Sequence, residues 1–130
     1  MILLDTHVLV WLALEPGRIS SKAKAAIDES RQSGSGLGIS DITMLEVARL
    51  ASRGRLGFPT GLESFLTEVE RRFIVLPITA RISVQAFALP ESYPNDPADR
   101  VIGATALVEG VPIVTCDREI RKSGAVPTIW

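Results

Sequence analysis

The sequence predicts an α/β domain of three layers, a parallel five-stranded sheet with helices on both faces. Three observations carry this prediction. Short apolar runs at residues 1–4, 36–39, 73–78, 112–116 and 125–129 have the length and the flanking turn signals of strands. Helical patterns separate them, the alternation that builds βαβ units. Two of the runs end on an acid, Asp5 and Asp117, just ahead of a helix signal, which puts carboxylates at the carboxyl ends of strands, where open α/β sheets build their sites.

Taken in order, the first strand is Met1-Ile2-Leu3-Leu4, and a helix follows from near Thr6 until Pro16-Gly17 stops it. Val8, Leu9, Val10, Trp11, Leu12 and Leu14 make this helix apolar on nearly every side. One sheet face cannot absorb that much apolar surface, so the helix is expected to contribute to an interface and the chain to form a homodimer. Ser20 or Ser21 caps a second helix that runs to about Gln32, and Ser33-Gly34-Ser35-Gly36 is a loop. Ser40 or Asp41 caps a third helix over 42–53, closed by Gly54. Residues 60–72 predict a fourth, with Leu62, Phe65, Leu66 and Val69 on one buried stripe. A short helix over 80–88 follows the third strand, and 90–97 is a turn-rich loop. The last long helix spans 97–109, with Pro97 at its first position and Gly110 suited to end it.

At 130 residues, without linker, repeat or low-complexity segment, the chain reads as one domain, residues 1–130, large enough to bury a substantial core. No apolar run approaches the ~20 residues of a membrane span, so a soluble protein without a membrane partner is expected. Met1 leads straight into a strand pattern with no secretion-signal pattern, and the single Cys116 cannot form an internal disulfide; both point to the cytoplasm. Cys116 itself reads as a small apolar strand residue rather than a nucleophile. Fourteen basic against fifteen acidic residues give a net charge of −1, which argues against broad duplex binding. A local basic rim can still form from Arg49, Arg53, Arg55, Arg71, Arg72, Arg100, Arg118, Arg121 and Lys122.

The candidate chemistry lies in four acids, Asp5, Glu46, Asp99 and Asp117, which the alternation brings to one end of the sheet. Clustered carboxylates repel one another, so a metal ion is their natural occupant. Each also has a plainer structural reading. Asp5 and Asp117 can cap the helices that follow them, although their matching positions on two strands weigh against capping alone. Asp99 is the third residue of a helix capped by Asp96, where a carboxylate favours the helix dipole and can return a capping bond. Glu46 can pair with Arg49 on a solvated helix face. Thr115 shares a strand face with Asp117, which suits it to orient water at the site, or serves β propensity alone. His7 and Trp11 read as packing neighbours rather than as a general base and a base-stacking platform.

Four segments in order, Leu3-Leu4-Asp5-Thr6-His7-Val8-Leu9-Val10-Trp11, Ser40-Asp41-Ile42-Thr43-Met44-Leu45-Glu46-Val47, Asn95-Asp96-Pro97-Ala98-Asp99-Arg100-Val101-Ile102-Gly103-Ala104-Thr105-Ala106 and Val114-Thr115-Cys116-Asp117, together resemble a PIN-domain protein. The resemblance is to the VapC toxins of type II toxin–antitoxin systems and covers nearly the whole chain. It implies strand order 3-2-1-4-5 and a metal-dependent endoribonuclease, with RNA as substrate and a VapB-like antitoxin as partner. The family's acidic quartet carries over to Asp5, Glu46, Asp99 and Asp117, its site hydroxyl to Thr115, and Thr6 and Asp96 become supporting residues. His7 stands where many PIN domains carry asparagine, and Ala98 where a larger apolar residue is common. Hard oxygen donors suit Mg²⁺ or Mn²⁺, with Asp5 as bridging ligand, Asp99 and Asp117 flanking, and Glu46 as ligand or water-positioning base.

Two other readings compete. A PIN-like module that has lost turnover would bind protein only. A phosphoryl-transfer domain would phosphorylate Asp5, but the haloacid-dehalogenase pattern wants a second Asp where His7 stands.

Overall fold

In the computed structural model, which describes all 130 residues, five short parallel strands make one sheet in the order β3-β2-β1-β4-β5. They are β1 (Ile2–Leu4), β2 (Leu37–Ser40), β3 (Ile74–Leu76), β4 (Ile113–Val114) and β5 (Thr128–Ile129). Between them run α1 (Thr6–Leu14), α2 (Ser21–Ser33), α3 (Asp41–Ser52), α4 (Leu62–Arg72), α5 (Ala80–Ala88), α6 (Pro97–Glu109) and the short α7 (Arg118–Ser123). The predicted strands all appear, but shorter than their apolar runs. Main-chain bonds reach past the regular ladder, from Asp5 N to the Val114 carbonyl at 3.1 Å and from Thr115 N to the Ile129 carbonyl at 3.2 Å. Those bonds fix the backbone at the carboxyl ends of β1 and β4, where Asp5, Thr115 and Asp117 stand.

Alternation along the strands divides the core between the two faces. Ile2, Leu4, Ile39 and Val114 join one buried cluster with Val8 and Leu9 of α1, Ile27 of α2, Val47 of α3 and Val69 of α4. Leu3 and Ile113 join the other, with Ile102 and Ala106 of α6, Ile120 of α7 and Tyr93 from the loop before α6. Residues 16–18, read as a helix stop, form a 3₁₀ turn.

The expectation that α1 leaves apolar surface uncovered is met only in part, at Leu12 and Ala13 beside an open groove. Val8, Leu9 and Val10 are buried, and Trp11, Leu12 and Leu14 pack against a cluster drawn from three further helices as well as the sheet. The largest exposed apolar side chains lie elsewhere, Leu45 on α3 (66% exposed) and Val84 and Phe87 on α5 (74% and 75%).

Arg100 also departs from the basic rim predicted for it. It is buried, and its guanidinium donates to the carbonyls of Ala86 and Leu89 at 3.1 and 3.3 Å and of Pro90 and Tyr93 at 3.4 Å each. A cation at the carboxyl end of α5 meets both the helix dipole and its unpaired carbonyls. It also fastens the loop that leads to Asp96 and Asp99. The buried Tyr93 completes this clamp, its hydroxyl donating to the Asp99 carbonyl at 2.9 Å.

Gly103 leaves room for that ring: a Cβ there would stand 2.6 Å from Tyr93 Cζ. Gly103→Ala is therefore expected to destabilise by about 1–3 kcal/mol through overpacking, against a helix-propensity gain of roughly 1 kcal/mol. Urea titration reads the balance, and a more stable variant would show that the ring yields freely.

Candidate functional site

Asp5, at the carboxyl end of β1, is 7% exposed and held from two sides. Its Oδ1 accepts the Thr6 amide at 2.8 Å and its Oδ2 accepts the Thr115 hydroxyl at 2.7 Å. Thr115 Oγ1 in turn accepts the Asp117 amide at 3.1 Å, so one hydroxyl ties the two acid-bearing strand ends together. The plainer reading of Thr115 as a strand former is thus insufficient. Asp117 does cap α7, its Oδ1 taking the amides of Glu119 and Ile120 at 2.9 and 3.0 Å, which leaves Oδ2 outside the capping bonds.

Glu46 reaches the same place from α3. The Thr6 hydroxyl donates to its Oε1 at 2.7 Å and lies 3.1 Å from the Thr43 hydroxyl, while Arg49 stands 3.8 Å from Oε2. The Arg49 pair expected of a solvated face therefore exists, yet Glu46 is turned inward, its side chain 18% exposed. Thr43, buried beneath Thr6, was not singled out from the sequence.

At α6 the division of labour is clear. Asp96 is the cap, its Oδ1 taking the amides of Ala98 at 2.9 Å and Asp99 at 3.2 Å. Asp99 returns no capping bond; its non-helical hydrogen bonds run through its own amide and carbonyl. Its carboxylate has no structural task of the kind a helix start would give it.

All four acids line one cleft of about 380 Å³, with Asp96, Arg49, His7, Trp11 and Cys116 completing the walls. The electrostatics record their proximity. Burial, followed by the charges of Asp5, Asp96, Glu46 and Asp117, pushes the Asp99 carboxyl up to about 7. Burial also raises Asp5 against its two hydrogen bonds, and raises Glu46 against the Thr6 bond. Cys116 lies just past β4 rather than buried within it, half-exposed at the cleft. Burial and the Asp5 charge push its thiol up, which makes it a poor nucleophile.

As the side chains stand, no three of the His, Cys, Asp and Glu groups converge closely enough to hold an ion. The donor chemistry nevertheless fits a hard divalent cation. The groups are carboxylate oxygens on an open cleft, one of them, on Asp99, without a competing hydrogen bond, and Arg49 is the one Arg or Lys side chain in the lining.

Residues 2–125 match the PIN domain family. The chain is 38% identical over 131 residues to Ribonuclease VapC22 of Mycobacterium tuberculosis, covering 99% of this chain and 98% of that protein. Among solved structures, DNA-bound VapBC from Salmonella typhimurium superposes with a TM-score of 0.73 at 18% identity, over 98% of this chain and 97% of that one. VapBC2 from Rickettsia felis, bound to a fragment of its promoter, gives 0.71 at 16%, again over 98% and 97%. At these identities the two structures speak to the fold.

Proposed function

The chain belongs to the PIN domain family, and on that premise we propose that it is a divalent-metal-dependent endoribonuclease, the toxin of a VapBC-type toxin–antitoxin pair. One observation carries the reading: four carboxylates from four separate segments meet in one cleft, in a chain similar along its whole length to a ribonuclease. Asp5, Asp99 and Asp117 would hold Mg²⁺ or Mn²⁺, with Glu46 as a further ligand or a base. Such an ion supplies positive charge that lowers the pKa of an attacking water and neutralises charge developing on the phosphodiester.

The protein's own groups do the rest. Thr115 and Thr6 fix Asp5 so that it does not swing away from its neighbours. Thr6 also holds Glu46 Oε1, keeping its second oxygen toward Arg49. Burial and the neighbouring carboxylates push the Asp99 carboxyl up to about 7, a repulsion that a bound cation would relieve.

Purified protein is expected to cut RNA with Mn²⁺ or Mg²⁺ and to stop with EDTA. RNA left intact with either metal would sink the hydrolytic reading and leave the protein-binding module. Phosphate trapped on Asp5 would instead favour phosphoryl transfer.

We read the partners from two surfaces. A groove of about 680 Å³ between α1, α2 and α4, floored by Leu9, Leu12, Phe65 and Val69 and rimmed by Arg31, Glu68 and Arg72, suits an apolar, charged-edged segment of an antitoxin. Val84 and Phe87, one turn apart on α5, suit a twofold homodimer contact. Phe87→Lys is expected to turn a micromolar dimer into a monomer by sedimentation, and a monomeric parent would end the dimer proposal. No helix is long and apolar enough to cross a membrane, in keeping with a cytoplasmic place of action.

A further inference from the structure

At one lip of the acidic cleft stand three side chains that the hydrolytic proposal leaves without a task. His7 and Trp11 both line the cleft, their ring centroids 6.0 Å apart and tilted by 53°. Arg18, from the 3₁₀ turn after α1, lays its guanidinium over the Trp11 ring, 4.3 Å from the centroid. Trp130 lies beside the same ring, 6.0 Å away and tilted by 55°. His7 and Arg18 are exposed, while Trp11 is half-buried.

Core packing explains only part of this arrangement. It accounts for the side of Trp11 that rests on the core cluster, but not for an exposed imidazole and a guanidinium plane gathered at the same ring. The ion pair between Arg18 and Glu15, 3.7 Å long with both side chains more than half exposed, is too weak to hold the arginine there. The Trp11 ring is the better anchor, through cation–π attraction. The charge of Arg18 also reaches the cleft: it opposes the burial and the Asp5 charge that push the Cys116 thiol up.

A cleft walled by carboxylates repels a polyanion, so an RNA strand needs attachment beside the acids as well as at them. Unstacked bases rest on aromatic rings and on guanidinium planes, tolerate any sequence there, and owe roughly tenfold in affinity or more to each such platform. We propose that His7, Trp11 and Arg18 form a nucleobase-stacking subsite that seats an unpaired base next to the scissile phosphate. This rests on the RNA reading above. It confines cutting to nucleotides outside a duplex, because a paired base cannot lie on the ledge.

The test uses the full-length Asp5→Asn protein, which retains the ledge, and a fluorescein-labelled single-stranded oligoribonucleotide that the parent cuts, followed by anisotropy. Added to that background, Arg18→Ala and His7→Ala are each expected to weaken binding by about three- to tenfold, and Trp11→Leu by about tenfold or more. Trp11→Phe should restore most of the loss. Arg18→Lys should not, since it keeps the charge and loses the plane. In cleavage by the otherwise unaltered enzyme the loss should appear in KM with kcat nearly unchanged. An abasic nucleotide beside the cut should cost the parent that same factor and the Arg18→Ala variant little more. Binding and KM unmoved by Arg18→Ala and His7→Ala, in a protein that still cuts RNA, would overturn the ledge and leave the ribonuclease reading standing. A parent that neither binds nor cuts any single-stranded oligoribonucleotide offered with Mn²⁺ or Mg²⁺ overturns both.

Discussion

Asp5→Asn is expected to lower kcat/KM for RNA cleavage by at least about a hundredfold while leaving the fold intact. On the proposed reading Asp5 holds a catalytic cation, and losing such a ligand removes several kcal/mol of transition-state charge stabilisation, each ~1.4 kcal/mol being a factor of ten. Asparagine keeps the shape of the side chain, and its carbonyl oxygen can still accept the Thr6 amide that Asp5 accepts at 2.8 Å. Replacing a buried, partly desolvated charge by a neutral amide costs little stability. Glu29→Gln, an exposed acid on α2, is the control and should cut as the parent does. Equal rates for parent and Asp5→Asn would remove Asp5 from the chemistry, and a collapsed melting curve would turn its role into a structural one.

The fold was legible because its signals are local and mutually consistent. Asp96-Pro97 and Gly110 bracket α6, Ser20 caps α2 and Gly34 ends it, and each strand run sits between such signals. The ends of the strands were less legible, since apolar runs such as 73–78 continue past the last paired residue. The sheet order came from the family resemblance rather than from the periodicity.

That four acids would share one cleft was legible; what holds each of them there was not. Asp5 and Asp117 announce themselves because they end strands. Glu46 does not, since what turns it inward is a hydroxyl 40 residues away in sequence. Thr43 and Tyr93 went unnoticed for the same reason: their partners, Thr6 and the Asp99 carbonyl, are supplied by the fold. Arg100 did carry a signal. With Gly103 and Ala104 it falls on the i, i+3, i+4 stripe of α6 that faces inward, and reading the stripe before the charge would have placed it inside. Composition likewise hid the α5 surface, because Val84 and Phe87 look like core residues until the packing shows nothing above them.

The metal-dependence of stability offers the sharpest test of Asp99. Its carboxyl is raised to about 7 in the folded protein, mainly by burial and then by Asp5, Asp96, Glu46 and Asp117, against an ordinary value of 3.8 when unfolded. Between those values the native state keeps a proton that the unfolded chain has released. The contribution to stability is therefore complete below the lower value and is lost as pH rises through about 7. Solvent screening of this half-buried group leaves on the order of 1–2 kcal/mol of the shift as stability. Without divalent metal the melting temperature should fall between about pH 5 and pH 8, and Asp99→Asn should flatten that fall and melt higher than the parent at the alkaline end. Metal bound only to the native state reverses the balance. At ~100 times its dissociation constant it adds about 2.7 kcal/mol, which for a domain of this size is on the order of 10 °C. Asp99→Asn should lose most of that rise. A helix-start role predicts the opposite, equal destabilisation with and without metal and an undiminished rise. Because Asp96 already takes the amides of Ala98 and Asp99, the side chain of Asp99 has no cap to lose, and melts of both proteins across pH and Mn²⁺ concentration should separate along the first pattern.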